Sequence, residues 1–382
     1  KKAPADYDVS TDATPRQIRR LFKKTVSVGA SFGTVLVIIG GIPFQVTTFR
    51  SGRGNDFSRD PKTDAANRDF TINSLFYDPI GKKLYDFFNG RADIKKRLIR
   101  CVDSPQRCFR QDPLRLLRAV RISSALGFRI EDKTSRAMRR LKDGISNISA
   151  ERVRDEMVRI MTGNNPYAGL KLMDELGLLA NIMPEIEVLK GVRQPPRFHP
   201  EGDVFTHTML LMKQLKKADL VLAFACLLHD AGKPATYKKT DRIRFHGHDR
   251  VGAKLCAQIL RRLRFSNEDV RKISYCVDNH MRIMNAMKMR ESTLKKMFLK
   301  DTFEAELKLH KFDCKASHAD LKIYRFLKRR YNAFKKRPIL PKPLLNGHEL
   351  IAMGFEEGPL IGRIQREMVD MQFEGRIRSK DR

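Results

Sequence analysis

The chain reads as an α+β protein, a small mixed-sheet head followed by all-helical segments. Three observations predict this. The β-branched run Thr34-Val35-Leu36-Val37-Ile38-Ile39 is followed by Gly40-Gly41 and a second apolar stretch at 44–49, the pattern of two strands joined by a turn. From about residue 105 apolar residues recur at helical spacing. Proline-containing breaks at 194–200 and 338–343 divide that helical region. A chain of 382 residues has room for two to four domains. The boundaries expected are 1–104, 105–193, 194–337 and 338–382, with no internal repeat.

The elements follow in order. Thr14 as N-cap and Pro15 at the first position predict a short amphipathic helix over 14–22. Residues 51–67, rich in Gly, Asp and Arg, read as a mobile loop. A long helix is expected from Leu114, with Arg115, Arg118 and Arg121 on or near one stripe. Further helices are expected over 151–161, 168–176 and 179–183, then a second helical block over 203–335 and a tail over 344–382.

Lys and Arg number 76 against 44 acidic residues, a net charge of +32. That excess predicts a polyanionic partner, with nucleic acid as the first candidate and a solubilising coat as the alternative. The six cysteines form no C-x-x-C pair and several sit in apolar helical runs, so they read as reduced and structural. No apolar run reaches membrane-spanning length, and no signal peptide is visible, so the expected location is the cytoplasm with no membrane partner. The text opens on Lys1 just before a motif, so the natural N-terminus is expected to lie further upstream.

Asp6 and Asp8 are two residues apart, which on a strand puts both carboxylates on one face. Two hard oxygen ligands so placed suit Mg²⁺. The segment Pro4-Ala5-Asp6-Tyr7-Asp8-Val9-Ser10-Thr11 resembles the P-x-D-x-D-x-x-T segment of the class II tRNA nucleotidyltransferases, the CCA-adding enzymes, and their bacterial poly(A) polymerase relatives. The resemblance continues through Val28-Gly29-Ala30-Ser31-Phe32-Gly33 and Phe49-Arg50. It then takes in Arg68-Asp69-Phe70-Thr71-Ile72-Asn73, like the R-R-D-F-T-I-N motif, and Asp112-Pro113-Leu114-Arg115-Leu116-Leu117-Arg118. It covers nearly the whole chain.

The resemblance implies a polymerase-β-like nucleotidyltransferase head that adds CCA to tRNA 3′ ends from CTP and ATP. Asp6 and Asp8 would be catalytic and hold Mg²⁺, activating the 3′-hydroxyl and stabilising the departing pyrophosphate. Arg68 and Asp69 would hold triphosphate and ribose, and Asn73 would donate to either. Asp112 and Arg115, three residues apart on one helix face, would read the incoming base. Arg118 would contact the triphosphate or support Asp112. Three positions depart from the family: Gln45 for a strand Glu, Asn67 for the first Arg of R-R-D-F, and Gln111 for the Glu that orients the reading pair. Addition of A alone shares every motif. A non-catalytic RNA-binding scaffold, or a chain in which only the second metal site works, are further alternatives.

All nine histidines lie at or beyond residue 199. His207, His229-Asp230, His248, His280 and Asp313, in that order, resemble an HD domain, a helical metal-dependent phosphohydrolase fold. That resemblance implies His207, His229, Asp230 and Asp313 as metal ligands, with His248 and His280 taking a second metal or the phosphate. Imidazole with carboxylate suits Mn²⁺, Ni²⁺, Fe²⁺ or Mg²⁺ better than a closed Zn²⁺ site. Phosphoester hydrolysis, such as that of a 2′,3′-cyclic phosphate at a damaged RNA end, would be its chemistry. Finally, Arg325, Lys328, Arg329, Arg330, Lys335 and Lys336 interleave with Tyr324, Phe326, Tyr331 and Phe334. That spacing predicts an amphipathic helix with aromatics inward and its cationic side toward RNA.

Overall fold

The turn at Gly40-Gly41 sets the geometry of the head. Both glycines have positive φ, 58° and 82°, as a two-residue type I′ hairpin requires. In the computed structural model, which describes residues 7–27, 33–51, 56–336 and 343–379, that turn closes a four-stranded sheet. Its strands are β1 (Asp8–Thr11), β2 (Thr25–Ser27), β3 (Thr34–Ile39) and β4 (Ile42–Thr48), in spatial order β1-β4-β3-β2. β3 pairs antiparallel with β2 and β4. β1 runs parallel to β4, with Asp8 opposite Gln45. The helix Pro15–Leu21 lies in the connection leaving β1, and its N-terminus has the expected Thr14 cap and Pro15, with Gln17 completing a capping box. Its Ile18 is buried against Val35, Val37 and Val46, the apolar face of the sheet.

Two expectations for this half of the chain need correction. The segment 51–67 is not loop throughout, because Pro61–Asn67 is helical. Asp60 caps it through Lys62 N and Thr63 N, at 3.0 and 3.1 Å, and Pro61 supplies a preset first turn. The second correction concerns Asp112 and Arg115, which do not share a helix. One helix, Pro105–Gln111, ends at Asp112 in extended conformation, and another, Arg115–Leu126, begins after it. Pro113 lacks an N–H and disfavours helical geometry in the residue before it, so the chain breaks there.

Contacts divide the chain into two compact units, 1–149 with 175–181 and 150–174 with 182–382, a coarser division than the four expected segments. The first also holds the β5–β6 hairpin (Leu75–Asp78, Lys83–Asp86) and the parallel pair β7 (Leu98–Ile99) and β8 (Arg129–Ile130).

The second unit is built around the helix Leu220–Leu228, in which every residue from 222 to 228 is buried. A helix apolar all round must lie inside other helices. Here Val204–Gln214, Asn267–Asn279 and Phe303–Ala316 pack against it. The block is not purely helical: a short antiparallel pair, β9 (Lys238–Lys239) and β10 (Ile243–Arg244), interrupts it. In the tail, Lys295 Nζ donates to Phe373 O at 2.6 Å, tying the Pro359–Phe373 helix to the Glu291–Phe298 helix.

Gly232 lets the turn after His229-Asp230 reach the His248–Arg262 helix. A Cβ there would collide with His248 O and with the backbone of Gly252. Gly232→Ala is expected to destabilise the protein by about 1–3 kcal/mol through forced backbone displacement. Urea denaturation checks this, and an unchanged midpoint would contradict it.

Candidate functional site

Asp69 sits at the centre of the head site. It is 6% exposed, and its carboxylate accepts four hydrogen bonds. Oδ1 takes Phe70 N at 2.8 Å and Asn73 Nδ2 at 3.0 Å. Oδ2 takes Arg118 Nε and Nη2, both at 2.7 Å. Burial alone would raise its pKa, but the Arg118 charge and these donors outweigh burial and hold it below the usual carboxylate range. Asp69 therefore orients Asn73 and Arg118.

Arg68 leaves the same turn in the other direction. Its Nε pairs with Asp64 at 3.0 Å, Nη1 donates to Asn73 O at 3.1 Å and Nη2 donates to Ser10 Oγ at 3.1 Å. Its guanidinium lies 4.5 Å from the centre of the Phe76 ring. Ser10 and Asp8 share one face of β1 by strand alternation. The bond to Ser10 thus places Arg68 on the Asp8 face. Asp8 is exposed, and Asp6 lies outside the described residues. The strand partner opposite Asp8 is Gln45, so the neighbouring strand offers a neutral amide there.

Arg68 and Arg115 line one cavity of about 490 Å³, together with Asn67, Arg107 and Gln111. Arg115 Nη2 donates to Asn67 O at 2.8 Å, and Nη1 donates to Gln111 Oε1 at 3.3 Å. The backbone carbonyl of Asn67 and the side chain of Gln111, the latter one of the departures, therefore position Arg115 directly. Asp112 accepts from Leu114 N at 3.2 Å and does not line this cavity.

In the second unit all six expected ligands converge. His207, His229 and Asp313 form one group, and Asp230, His248 and His280 another; within each, candidate donor atoms lie within 4.8 Å of one another. Asp230 Oδ2 lies 3.1 Å from His229 Nε2, and Oδ1 lies 3.6 Å from His248 Nε2. Three of the imidazoles share one arrangement. Nδ1 faces the carbonyl three residues back, His229 to Cys226 at 3.0 Å, His248 to Phe245 at 2.8 Å and His280 to Val277 at 2.6 Å. If Nδ1 donates, Nε2 carries the lone pair. The Nε2 atoms of His248 and His280 then face each other at 3.2 Å, an arrangement a cation between them would satisfy. His207 Nε2 and His229 Nε2 are buried facing carboxylate oxygens, Asp313 Oδ1 and Asp230 Oδ2, each at 3.1 Å, without a well-directed hydrogen bond. This donor set fits a divalent cation.

Three residues at this centre lay outside the expected set. Lys233 Nζ sits 2.7 Å from Asp230 Oδ2 and donates to Gln194 at 2.6 Å, while Glu201 faces His207. Lys233 adjoins His229-Asp230 in sequence and could have been found. Gln194 lies in the proline-containing break and Glu201 directly after it, and neither gave such a signal.

The basic helix Lys322–Lys336 is amphipathic as expected. Tyr331 and Phe334 pack on Phe298 at ring-centre distances of 5.6 Å. Arg330 pairs with Glu291, and Lys335 pairs with Glu304 at 3.0 Å. Arg325, Lys328, Arg329 and Lys336 line an open groove of about 510 Å³. All six cysteines are buried free thiols, and among the described residues no helix is long and apolar enough to cross a membrane.

Residues 1–100 match the family described as the poly A polymerase head domain. Residues 127–189 match the probable RNA and SrmB-binding site of polymerase A, and 203–306 match the HD domain. The fold and site thus define a nucleotidyltransferase head joined to an HD domain. An A-adding tRNA nucleotidyltransferase of Deinococcus radiodurans is 34% identical over 333 residues, 82% of this chain and 76% of that protein. A multifunctional CCA protein of Pasteurella multocida is 35% identical over 247 residues, 62% of this chain and 58% of that one. Among solved structures, the Bacillus stearothermophilus CCA-adding enzyme in complex with CTP has the same fold. Its TM-score is 0.76 at 24% identity, covering 100% of this chain and 87% of that one. The chain belongs to the CCA-adding and A-adding tRNA nucleotidyltransferase family.

The electrostatics of the histidine centre carry a pH prediction. Burial pulls His207 down, but Asp313 and Glu201 outweigh it, with Asp230 adding to them, and the pKa rises to about 9. His199 and His229 are the other ionisable groups around its ring. His280 moves the other way, lowered to about 4 by burial and by the neighbouring His229. A raised histidine stabilises the fold fully below its unfolded pKa near 6.5 and loses that contribution as pH climbs through about 9. A lowered one destabilises as pH falls from 6.5 towards about 4. The thermal midpoint of the chelator-treated protein is expected to fall from pH 6.5 to pH 9, and His207→Gln to flatten that slope. A midpoint that rises over this range would contradict the assignment.

Proposed function

We propose that this chain adds cytidine and adenosine to the 3′ end of tRNA, using CTP and ATP and releasing pyrophosphate. The observation that carries the reading is the Asp69 clamp, which fixes Arg118 and Asn73, in the same turn that sends Arg68 to the Asp8 face of β1. Asp8, with Asp6, would hold Mg²⁺, which supplies Lewis acidity at the phosphate oxygens. Arg68 and Arg118, each about one-third exposed at 34% and 33%, bind the triphosphate. Arg115 donates to the Watson–Crick edge of the base. The Asp112 carboxylate, which does not line the Arg115 cavity in this structure, would turn to accept from the exocyclic amino group that cytosine and adenine share. That pairing rejects guanine and uracil without a template.

The tRNA is held by charge and shape. Arg325, Lys328, Arg329 and Lys336 present cations along one groove, while Arg330 and Lys335 spend theirs on intramolecular pairs. Contacts of this kind to the phosphates of double-stranded RNA weaken steeply with salt. In the HD domain, His207, His229, Asp230 and Asp313 would hold a divalent cation, with His248 and His280 available to a second cation or a phosphate. Mn²⁺, Ni²⁺, Fe²⁺ and Mg²⁺ suit the donors, and a bound cation supplies the activation needed for phosphoester hydrolysis. Lys233, buried beside Asp230, adds a fixed positive charge for a phosphoryl group.

A second reading, addition of A alone, has a specific observation behind it. Arg115 is oriented by the neutral Gln111, and the A-adding relative matches 82% of the chain. One assay separates the two. The protein is incubated with Mg²⁺, labelled CTP or ATP, and tRNA lacking either CCA or only the terminal A. Ordered C, C and A addition is expected, with Asp8→Ala lowering the rate at least about a hundredfold through loss of metal-held charge. Extension only of tRNA ending in CC, by ATP alone, would establish the second reading. No incorporation into either RNA would overturn both.

A further inference from the structure

Glu201 lies outside the six ligands expected in the HD domain. It sits between His199-Pro200 and the helix Val204–Gln214, and its side chain is 6% exposed. Its Oε1 lies 2.6 Å from His207 Nδ1 and 2.8 Å from His199 Nδ1. Resting on the HD metal reading, we infer that Glu201 is a positioning residue that fixes His207 in the tautomer presenting Nε2 to the metal.

His229, His248 and His280 each turn Nδ1 towards a backbone carbonyl three residues back. His207 stands in the first turns of a helix, where its own N–H already bonds Asp203 O at 3.1 Å and the carbonyl of Val204 is taken by Thr208 Oγ1 at 2.9 Å. Its Nδ1 needs a partner from outside the helix. A carboxylate supplies a stronger acceptor than a carbonyl and makes Nε2 a better donor to a metal. That Nε2 lies 3.1 Å from Asp313 Oδ1 and 3.9 Å from Asp230 Oδ2, on the far side of the ring from Glu201. His199 restrains the other end of the arrangement. It shares Oε1, and its ring packs edge-on against His207 at 5.0 Å between centres.

The test is calorimetric titration of the metal-free full chain with Mn²⁺ alone. Glu201→Gln keeps shape but removes the charge. It is expected to keep the native stoichiometry and weaken Mn²⁺ binding about 10–100-fold, the usual effect of losing such an outer partner. Glu201→Asp is expected to recover part of the loss. His199→Phe, which leaves the Glu201–His207 bond in place, is expected to weaken binding in the same direction by a smaller factor. It also serves as the test if far-UV circular dichroism shows Glu201→Gln unfolded. Native affinity in a folded Glu201→Gln protein would overturn the inference. Loss of a whole equivalent of Mn²⁺ would overturn it too, by making Glu201 a ligand. Absence of Mn²⁺ binding to the native chain would instead overturn the metal reading beneath it.

Discussion

A buried carboxylate without partners would cost several kcal/mol, and Asp69 avoids that cost by accepting from four protein donors. This constraint shapes the head. Phe70 N and Asn73 close the turn locally, and Arg118 reaches it from the Arg115–Leu126 helix. Three motifs far apart in sequence are thereby held in one rigid place, with Arg68 bridging to β1 through Ser10. A site that must bind a polyanion needs cationic side chains that stay apart, and the clamp supplies the fixed negative charge that holds one of them.

The histidine centre solves a related problem with the opposite charge. Imidazoles must stay neutral and aim one nitrogen inward to bind a cation. Backbone carbonyls aim three of them and Glu201 aims the fourth, His207, whose extra proton a bound cation would displace. The closeness of Gly232 to the His248–Arg262 helix lets Asp230 approach both groups of ligands.

Much of this was legible in the sequence because its signals are local. The β-branched run with Gly40-Gly41 marked the hairpin, and Thr14-Pro15 marked the helix start. The order of His207, His229-Asp230, His248, His280 and Asp313 marked the second centre. Part of what escaped depends on contacts across long stretches of chain, and part on local signals that composition and spacing masked. The Asp69 clamp was not foreseen, because its partner Arg118 lies 49 residues on. Asp112 and Arg115 looked like one helix face because their spacing fits, while Pro113 between them splits the helix. Asp60-Pro61 was a readable helix start hidden in a segment whose composition spoke for a loop. Glu201 carried no periodic or motif signal at all.

The central claim is that Asp69 acts on nucleotide addition through Arg118. A double-mutant cycle tests it most directly, using kcat/KM for CTP and ATP in native, Asp69→Asn, Arg118→Lys and doubly substituted proteins. If the two residues act as one unit, the effects are strongly non-additive, with a coupling of about 1–3 kcal/mol and the double variant little worse than the poorer single one. Effects that simply add would contradict the account and assign Asp69 a direct role at the nucleotide.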